Sequence, residues 1–185
     1  MATTINPKTT HPMQFIAMVL VVPILLLVAG CSEPKGTEAS NIESVKISGT
    51  VFHLELALDG PTRFQGLSDR DSIEPDGGML FVFPKPSVQR FVMRDCPTDI
   101  DILFLDPSAR ITAMYHMPVE EARRPDEPKT DNPADDKYEQ RLHRYSSKFA
   151  SQFVIELAGG TLKNLDLHEG DLIDLDTKGL KARAK

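Results

Sequence analysis

The feature that most constrains the fold is a series of short apolar segments, each separated from the next by turn-forming residues. In residues 50–59, leucine and phenylalanine alternate with polar or small residues, which predicts a strand with one buried face. Residues 79–83 and 102–105 are continuously apolar, as is typical of strands covered on both faces. This pattern predicts a mainly β protein, a compact antiparallel β-sandwich or barrel-like domain with one or two short helices.

Weaker patterns predict the remaining elements. Asp59-Gly60-Pro61 ends the first strand and favours a short helix that ends near Gly66, because proline suits the first helical turn. Four further segments have the composition of strands: 91–94, 110–117, 152–158 and 171–176. We therefore place the folded domain at residues 45–177, followed by a basic tail at 178–185 that we expect to be frayed.

Residues 119–151 interrupt the strand pattern with dense mixed charge and three prolines. This composition indicates a long, solvated insertion in the domain. Its second half could be helical, because Tyr138, Leu142, Tyr145 and Phe149 follow one another at heptad-like steps.

The amino-terminal segment indicates where the protein resides. Residues 15–30 are apolar, follow a single lysine and end in small residues directly before Cys31, which is the layout of a lipoprotein signal peptide. An uncleaved membrane anchor is the alternative, but such a helix needs about 20 apolar residues and Pro23 lies inside this segment. We expect residues 1–30 to be removed and Cys31 to carry acyl chains such as palmitate. Residues 31–44 would then be a flexible tether to the membrane, on the periplasmic side and at the outer membrane if one exists.

Charge and cysteine content narrow the function classes. Loss of residues 1–30 removes one basic residue, which leaves 20 basic against 27 acidic residues, a formal charge of −7. This balance argues against a nucleic-acid partner, which requires a basic face. The second cysteine, Cys96, has no partner once Cys31 is acylated, so we predict a small buried apolar residue rather than a nucleophile. We expect no cofactor and a monomer.

Four segments in order resemble the bacterial and archaeal family called Domain of Unknown Function 192. They are RFQGL at 63–67, GMLFVF at 78–83, FVMRD at 91–95 with IDI at 100–102, and FVIELAGG at 153–160. The resemblance implies a compact β-rich domain, here in a lipid-anchored member, and no established activity. Within the third segment the family usually has tryptophan and lysine where this chain has Val92 and Arg94. A ligand that stacked on that tryptophan would lose its platform.

Three charged residues fall at family motif positions beside apolar neighbours: Arg63, Asp101 and Glu156. A charge against apolar walls needs a partner, so Arg63 and Glu156 could form a structural ion pair. Alternatively, Arg63, Met93, Asp101 and Glu156 line a groove in which Arg63 binds an anionic or sugar-like group. Met93 could equally pack in the core. Aspartates 95, 99, 101 and 106 could bind calcium or form a solvated acidic edge, and we predict no metal site.

We therefore expect a binding or accessory module of the cell envelope that takes an unknown small ligand or envelope partner. The competing classes are an envelope glycan hydrolase that uses Asp101 and Glu156, and a purely structural envelope component. A carboxyl group of strongly raised pKa in a pocket would favour the enzyme. A concave surface without a perturbed carboxyl would favour binding, and the structural component would have no pocket.

Overall fold

The computed structural model describes residues 41–130 and 134–185, whose six strands form one mixed sheet. The strands are β1 (Ile42–Ile47), β2 (Thr50–Ala57), β3 (Gly77–Phe91), β4 (Ile100–Leu105), β5 (Ile111–Met117) and β6 (Tyr145–Ala158). Their order across the sheet is β1-β2-β3-β6-β4-β5, and every neighbouring pair is antiparallel except β2 and β3. The predicted mainly β class is confirmed. The β2–β3 pair is parallel because the chain crosses over between them, and the sheet does not close into a barrel.

Three short helices connect or flank the strands in the described residues. They are α1 (Gly60–Gln65), α2 (Lys137–Arg141) and α3 (Thr177–Arg183), with a 3-10 turn at Thr161–Asn164. Helix α1 lies in the predicted place: Asp59 caps it by accepting a hydrogen bond from the Thr62 backbone N–H, and Gly66 ends it. The crossover that contains α1 positions the site described below.

Apolar side chains cover both faces of the sheet. Leu80, Leu103 and Ile155 belong to one cluster, while Phe81, Ile102 and Val154 belong to a second cluster on the opposite face. The continuous apolar segments predicted to be covered on both sides are thus confirmed in β3 and β4. We call the second cluster's side the aromatic face, because four phenylalanines pack there: Phe81, Phe83, Phe91 and Phe104.

Two predicted elements are wrong in the middle of the chain. Residues 92–94 do not continue as a strand, since β3 ends at Phe91 and the chain turns through Asp95, whose φ is +49°. The predicted helix stops at Arg141, and β6 begins at Tyr145 because its first half pairs with the end of β3. Phe149 is consequently an exposed strand residue rather than part of an apolar helix face.

The two ends of the domain also differ from the prediction. Strand β1 begins at Ile42, inside the range predicted as tether. Residues 171–176 make only isolated bridges, one to each edge of the sheet, through Leu172 and Asp174. The segment expected to fray is helix α3, because Asp176 caps it and Leu180 is buried in the core at 1% exposure.

Within the described ranges, none of the helices has both the length and the apolar character that a membrane crossing needs. The predicted signal peptide and Cys31 lie outside these ranges, so both remain predictions.

Candidate ligand-binding pocket

A pocket of about 310 Å³ opens on the aromatic face, between α1, the second half of β3 and the loop that follows β3. We call it the aromatic pocket. Its lining comprises residues 63–68, Phe81, Phe83, residues 89–92, Arg94, Cys96 and Glu156.

The chain forms this pocket through a tight turn and a packed aromatic wall. Gly66 has a φ of +53°, a conformation that favours glycine, and a Cβ there would lie 3.5 Å from the ring of Phe81. The Phe91 ring packs edge-on against Phe81 and Phe104, at centroid separations of 5.0 and 5.6 Å. Each such pair adds about 0.5–1.5 kcal/mol beyond burial, so these contacts stabilise the wall.

Glu156 lies in the floor of the pocket. It occupies β6 opposite Met79 of β3 and Ile102 of β4, and only 5% of the residue is exposed. No group in the described part of the chain donates a hydrogen bond to its carboxyl. Burial raises the pKa of Glu156 to about 8, while the charges of Arg70 and Arg94 oppose that rise. At neutral pH it is therefore mainly a neutral acid, which can both donate and accept a hydrogen bond.

Arg63 does not pair with Glu156, so the predicted ion pair is wrong. Its Nη1 donates to the carbonyl of Val82 at 2.9 Å and its Nη2 to the backbone oxygen of Lys185 at 2.8 Å. The guanidinium also lies 5.3 Å from the centre of the Phe83 ring. Arg63 thus connects α1 to β3 and to the end of the chain, and it also lines the pocket.

Arg94 also lines the pocket, although no local sequence pattern marks it as a site residue. Its Nη1 donates to Glu139 of α2 at 2.8 Å, its Nη2 donates to the carbonyl of Phe64, and its guanidinium lies 3.9 Å from the Phe64 ring centre. Nearby, the backbone N–H of Asp95 donates to the Tyr138 hydroxyl at 2.9 Å. The charged insertion therefore holds the pocket wall in place, a contact between distant segments that no local pattern reveals.

Cys96 also lines the pocket, but its thiol is unreactive at neutral pH. It is buried, its Sγ donates to the carbonyl of Arg94, and burial raises the pKa of the thiol to about 12. A thiol with so high a pKa is a poor nucleophile at neutral pH. The prediction of a small buried apolar residue is confirmed.

Asp101 does not belong to this pocket. It pairs with Leu157 across the β4–β6 ladder, one position away from the Ile102–Glu156 pair, so the two carboxyl groups project from opposite faces of the sheet. Asp101 instead accepts a hydrogen bond from Leu162 N–H and contacts His116 Nδ1 at 2.7 Å. The predicted use of Asp101 and Glu156 as a catalytic pair in a hydrolase is therefore wrong, because the two carboxyl groups cannot reach the same substrate.

Met93 and the acidic residues also lie elsewhere. Met93 is 1% exposed in the core of the aromatic face rather than in the groove. Asp99 accepts from Val119 N–H, and Asp106 accepts from the backbone N–H groups of the turn that follows it. Across residues 41–130 and 134–185, no three acidic, histidine or cysteine side chains converge as metal ligands.

Comparison with known proteins identifies the family. The chain matches the family DUF192, described as "Uncharacterized ACR", over residues 43–175. The chain belongs to this family. A UPF0127 protein from Thermococcus gammatolerans is 28% identical over 137 residues, which cover 71% of this chain and 72% of that protein.

Two solved structures are similar to this DUF192 protein. A proposed transcription regulator from Sinorhizobium meliloti has 25% identity and a TM-score of 0.54, with 71% of this chain and 89% of that chain covered. A protein of unknown function from Novosphingobium aromaticivorans has 22% identity and a TM-score of 0.57, with 72% and 85% covered. The second likeness shows the fold alone. The function of the family is unknown.

Proposed function

We propose that this DUF192 protein is a lipid-anchored, extracytoplasmic module that binds a small molecule in the aromatic pocket. The observation that carries the binding role is Glu156, an almost fully buried carboxyl in the pocket floor that receives no hydrogen bond from the described residues. Its oxygens are not sealed off, so they are open to a partner that enters the pocket. A ligand that hydrogen-bonds to this carboxyl gains about 0.5–1.5 kcal/mol, or about 1.5–3 kcal/mol where the ligand group is charged.

Binding is better supported than catalysis. The raised pKa of Glu156 is a property of many catalytic acids, and a neutral acid in a pocket can donate a proton. Acid–base chemistry on one substrate, however, commonly uses a second group of suitable pKa. The other ionisable groups lining this pocket are arginines and Cys96, which keep their protonation state near neutral pH.

The support for a lipid anchor is the sequence that precedes Cys31: an apolar segment that ends in the small residues Ala29 and Gly30. Labelled palmitate should appear in the wild-type protein and be lost in Cys31→Ala. Cys96→Ala is the matched control, because it removes the other cysteine and should leave the label. Label that survives Cys31→Ala would overturn the anchoring proposal.

The description of the Sinorhizobium protein as a transcription regulator is not the function we propose here. The formal charge of this chain is −6, and sequence-independent binding to nucleic acid depends on neutralising phosphates with a basic surface. A regulator acting on DNA would also need a cytoplasmic location, which the predicted signal peptide opposes.

The binding role can be tested with a fluorescent reporter, because the chain contains no tryptophan. Phe64→Trp places an indole on the pocket rim, where Phe64 is 56% exposed. Phe149→Trp is the control, at a residue that is 67% exposed and outside the pocket. The probes are benzoate, benzyl alcohol and benzylamine, which share one ring.

A probe of eight or nine heavy atoms that gains about 0.4 kcal/mol per atom has a Kd of a few millimolar. We expect at least one of the three probes to change the indole emission of the Phe64→Trp variant saturably in this range. The same probe should leave the emission of the Phe149→Trp variant unchanged. If none of the probes does so, the proposed pocket function is refuted.

A further inference from the structure

We infer that the natural ligand of the aromatic pocket is a small carboxylate with an apolar body, whose carboxylate shares a proton with Glu156. This inference rests on the proposed function of the pocket. It follows from three properties of the lining: the apolar wall, the excess of cationic groups and the neutral acid in the floor.

The wall defines the body of the ligand. The rings of Phe83 and Phe91 are partly exposed in the lining, and the buried ring of Phe81 packs behind Phe91. Against such a surface, an aromatic ring or a branched aliphatic chain gains about 25 cal/mol for each Å² of apolar area removed from water. A volume of about 310 Å³ suits a small molecule at the lower end of ligand pockets.

The charges of the lining select the sign of the ligand. Three arginines line the pocket, at positions 63, 90 and 94, against one carboxyl group. Arg94 is paired with Glu139 outside the pocket, whereas no Asp or Glu side chain in the described ranges lies within ion-pair distance of Arg63 or Arg90. Because Glu156 is mainly neutral at pH 7, the charged groups that line the pocket are all cationic, so their field favours an anionic ligand over a cationic one.

The groups that face Glu156 keep it available as a proton donor. From the crossover comes Arg70, which is paired with Glu55, and from the loop after β3 come Arg94 and Cys96. Arginines stay charged and the Cys96 thiol stays neutral up to about pH 10. Glu156 is therefore the group in this pocket that titrates between about pH 7 and 9.

The sign of the pH dependence follows directly. A bound carboxylate stabilises the neutral form of Glu156 and raises its pKa further, so binding takes place with Glu156 protonated. Above a pKa of about 8 in the free protein, the protonated fraction falls tenfold for each pH unit. The Kd for benzoate should therefore rise about tenfold between pH 7 and pH 9, a range in which benzoate itself stays ionised.

The test uses the Phe64→Trp reporter with the same three probes. At pH 7, benzoate should bind at least about fivefold more tightly than benzyl alcohol, and benzylamine should bind most weakly, as expected for about 1 kcal/mol of charge-assisted hydrogen bonding. Glu156→Gln keeps a hydrogen-bond donor but cannot ionise. In that variant benzoate should still bind, and its Kd should not change between pH 7 and pH 9.

Each outcome separates this inference from the proposal on which it rests. Preferential binding of benzylamine or benzyl alcohol would leave the pocket as a binding site but overturn the carboxylate assignment. A tenfold pH effect that persists in Glu156→Gln would also overturn it. Titration calorimetry of the wild-type protein, in two buffers of different ionisation enthalpy, independently measures the number of protons taken up or released on binding. It should record net proton uptake when benzoate binds near pH 8.5, and proton release would refute the shared proton.

Discussion

Replacement of Glu156 should change how protein stability depends on pH. In the folded state the pKa of Glu156 is about 8, whereas an exposed glutamate in the unfolded chain has a pKa of about 4.3. Between these values the folded state holds a proton that the unfolded state has lost. The free energy of unfolding therefore falls as pH rises, by about 1.4 kcal/mol per pH unit from this group alone. The full range amounts to about 5 kcal/mol, an upper value because burial of a charge is relieved by local relaxation.

The assay is urea unfolding of the wild-type protein and of Glu156→Gln at several pH values from about 4 to 9. The glutamine has nearly the same shape and no charge, so the difference between the two curves isolates Glu156 from every other titrating group. The wild type should lose stability relative to the variant as pH rises through this window, and the difference should level off above about pH 8. A difference that stays constant within about 0.5 kcal/mol from pH 5 to 8 would refute the reasoning.

Glu55→Gln provides a control of opposite sign. The Arg70 side chain donates hydrogen bonds to Glu55 and holds the pKa of that carboxyl below its usual value. The stability contributed by Glu55 is therefore present above the unfolded pKa and is lost as pH falls through the folded pKa. Because this pair is partly exposed, Glu55→Gln should have a small effect, confined to the acidic side of the window that Glu156 dominates.

Three further predictions concern the structure around the pocket. Arg63→Ala should lower the free energy of unfolding by about 1–3 kcal/mol, because it removes the hydrogen bonds to Val82 and Lys185. Arg63→Lys should recover only part of this loss, because one ammonium cannot reach both carbonyl oxygens. An unchanged urea midpoint in Arg63→Ala would show that these hydrogen bonds do not stabilise the fold. Tyr138→Phe should cost about 1–2 kcal/mol in urea unfolding, since it removes the acceptor for the Asp95 N–H. Iodoacetamide should leave Cys96 unmodified at about pH 8 in the folded protein and alkylate it in urea, as seen by mass spectrometry; rapid labelling of the folded protein would show that the thiol is accessible.

The sequence predicts those strands whose burial is visible within the segment itself. In β2 the alternation of leucine and phenylalanine is a local record of one buried face, and in β4 every position is buried. The first half of β6 carries no such record. Its residues from Ser146 to Gln152 are mostly polar, and Phe149 points to solvent, so only pairing with β3 makes this segment a strand.

The site was predictable to the same extent. Arg63 and Glu156 stand out as charges beside apolar residues, and both line the pocket. Asp101 has the same local signature but lies on the other face of the sheet, because a shift of one residue in register reverses the side on which a side chain projects. The register between β4 and β6 is set by pairing between residues about 50 positions apart in the chain. The local pattern of either strand alone does not reveal that register.

Two positions at which this chain differs from the usual family sequence lie in the aromatic pocket. Val92 stands where the family usually has tryptophan and Arg94 where it usually has lysine, and both residues line the aromatic pocket. Arg94 uses separate nitrogens for Glu139 and for the carbonyl of Phe64, a fork that the single ammonium of lysine cannot reproduce. Glu139 belongs to the charged insertion, so the insertion and Arg94 together stabilise this side of the pocket. Ligand preference should therefore differ between this member and relatives that have tryptophan and lysine at these two positions.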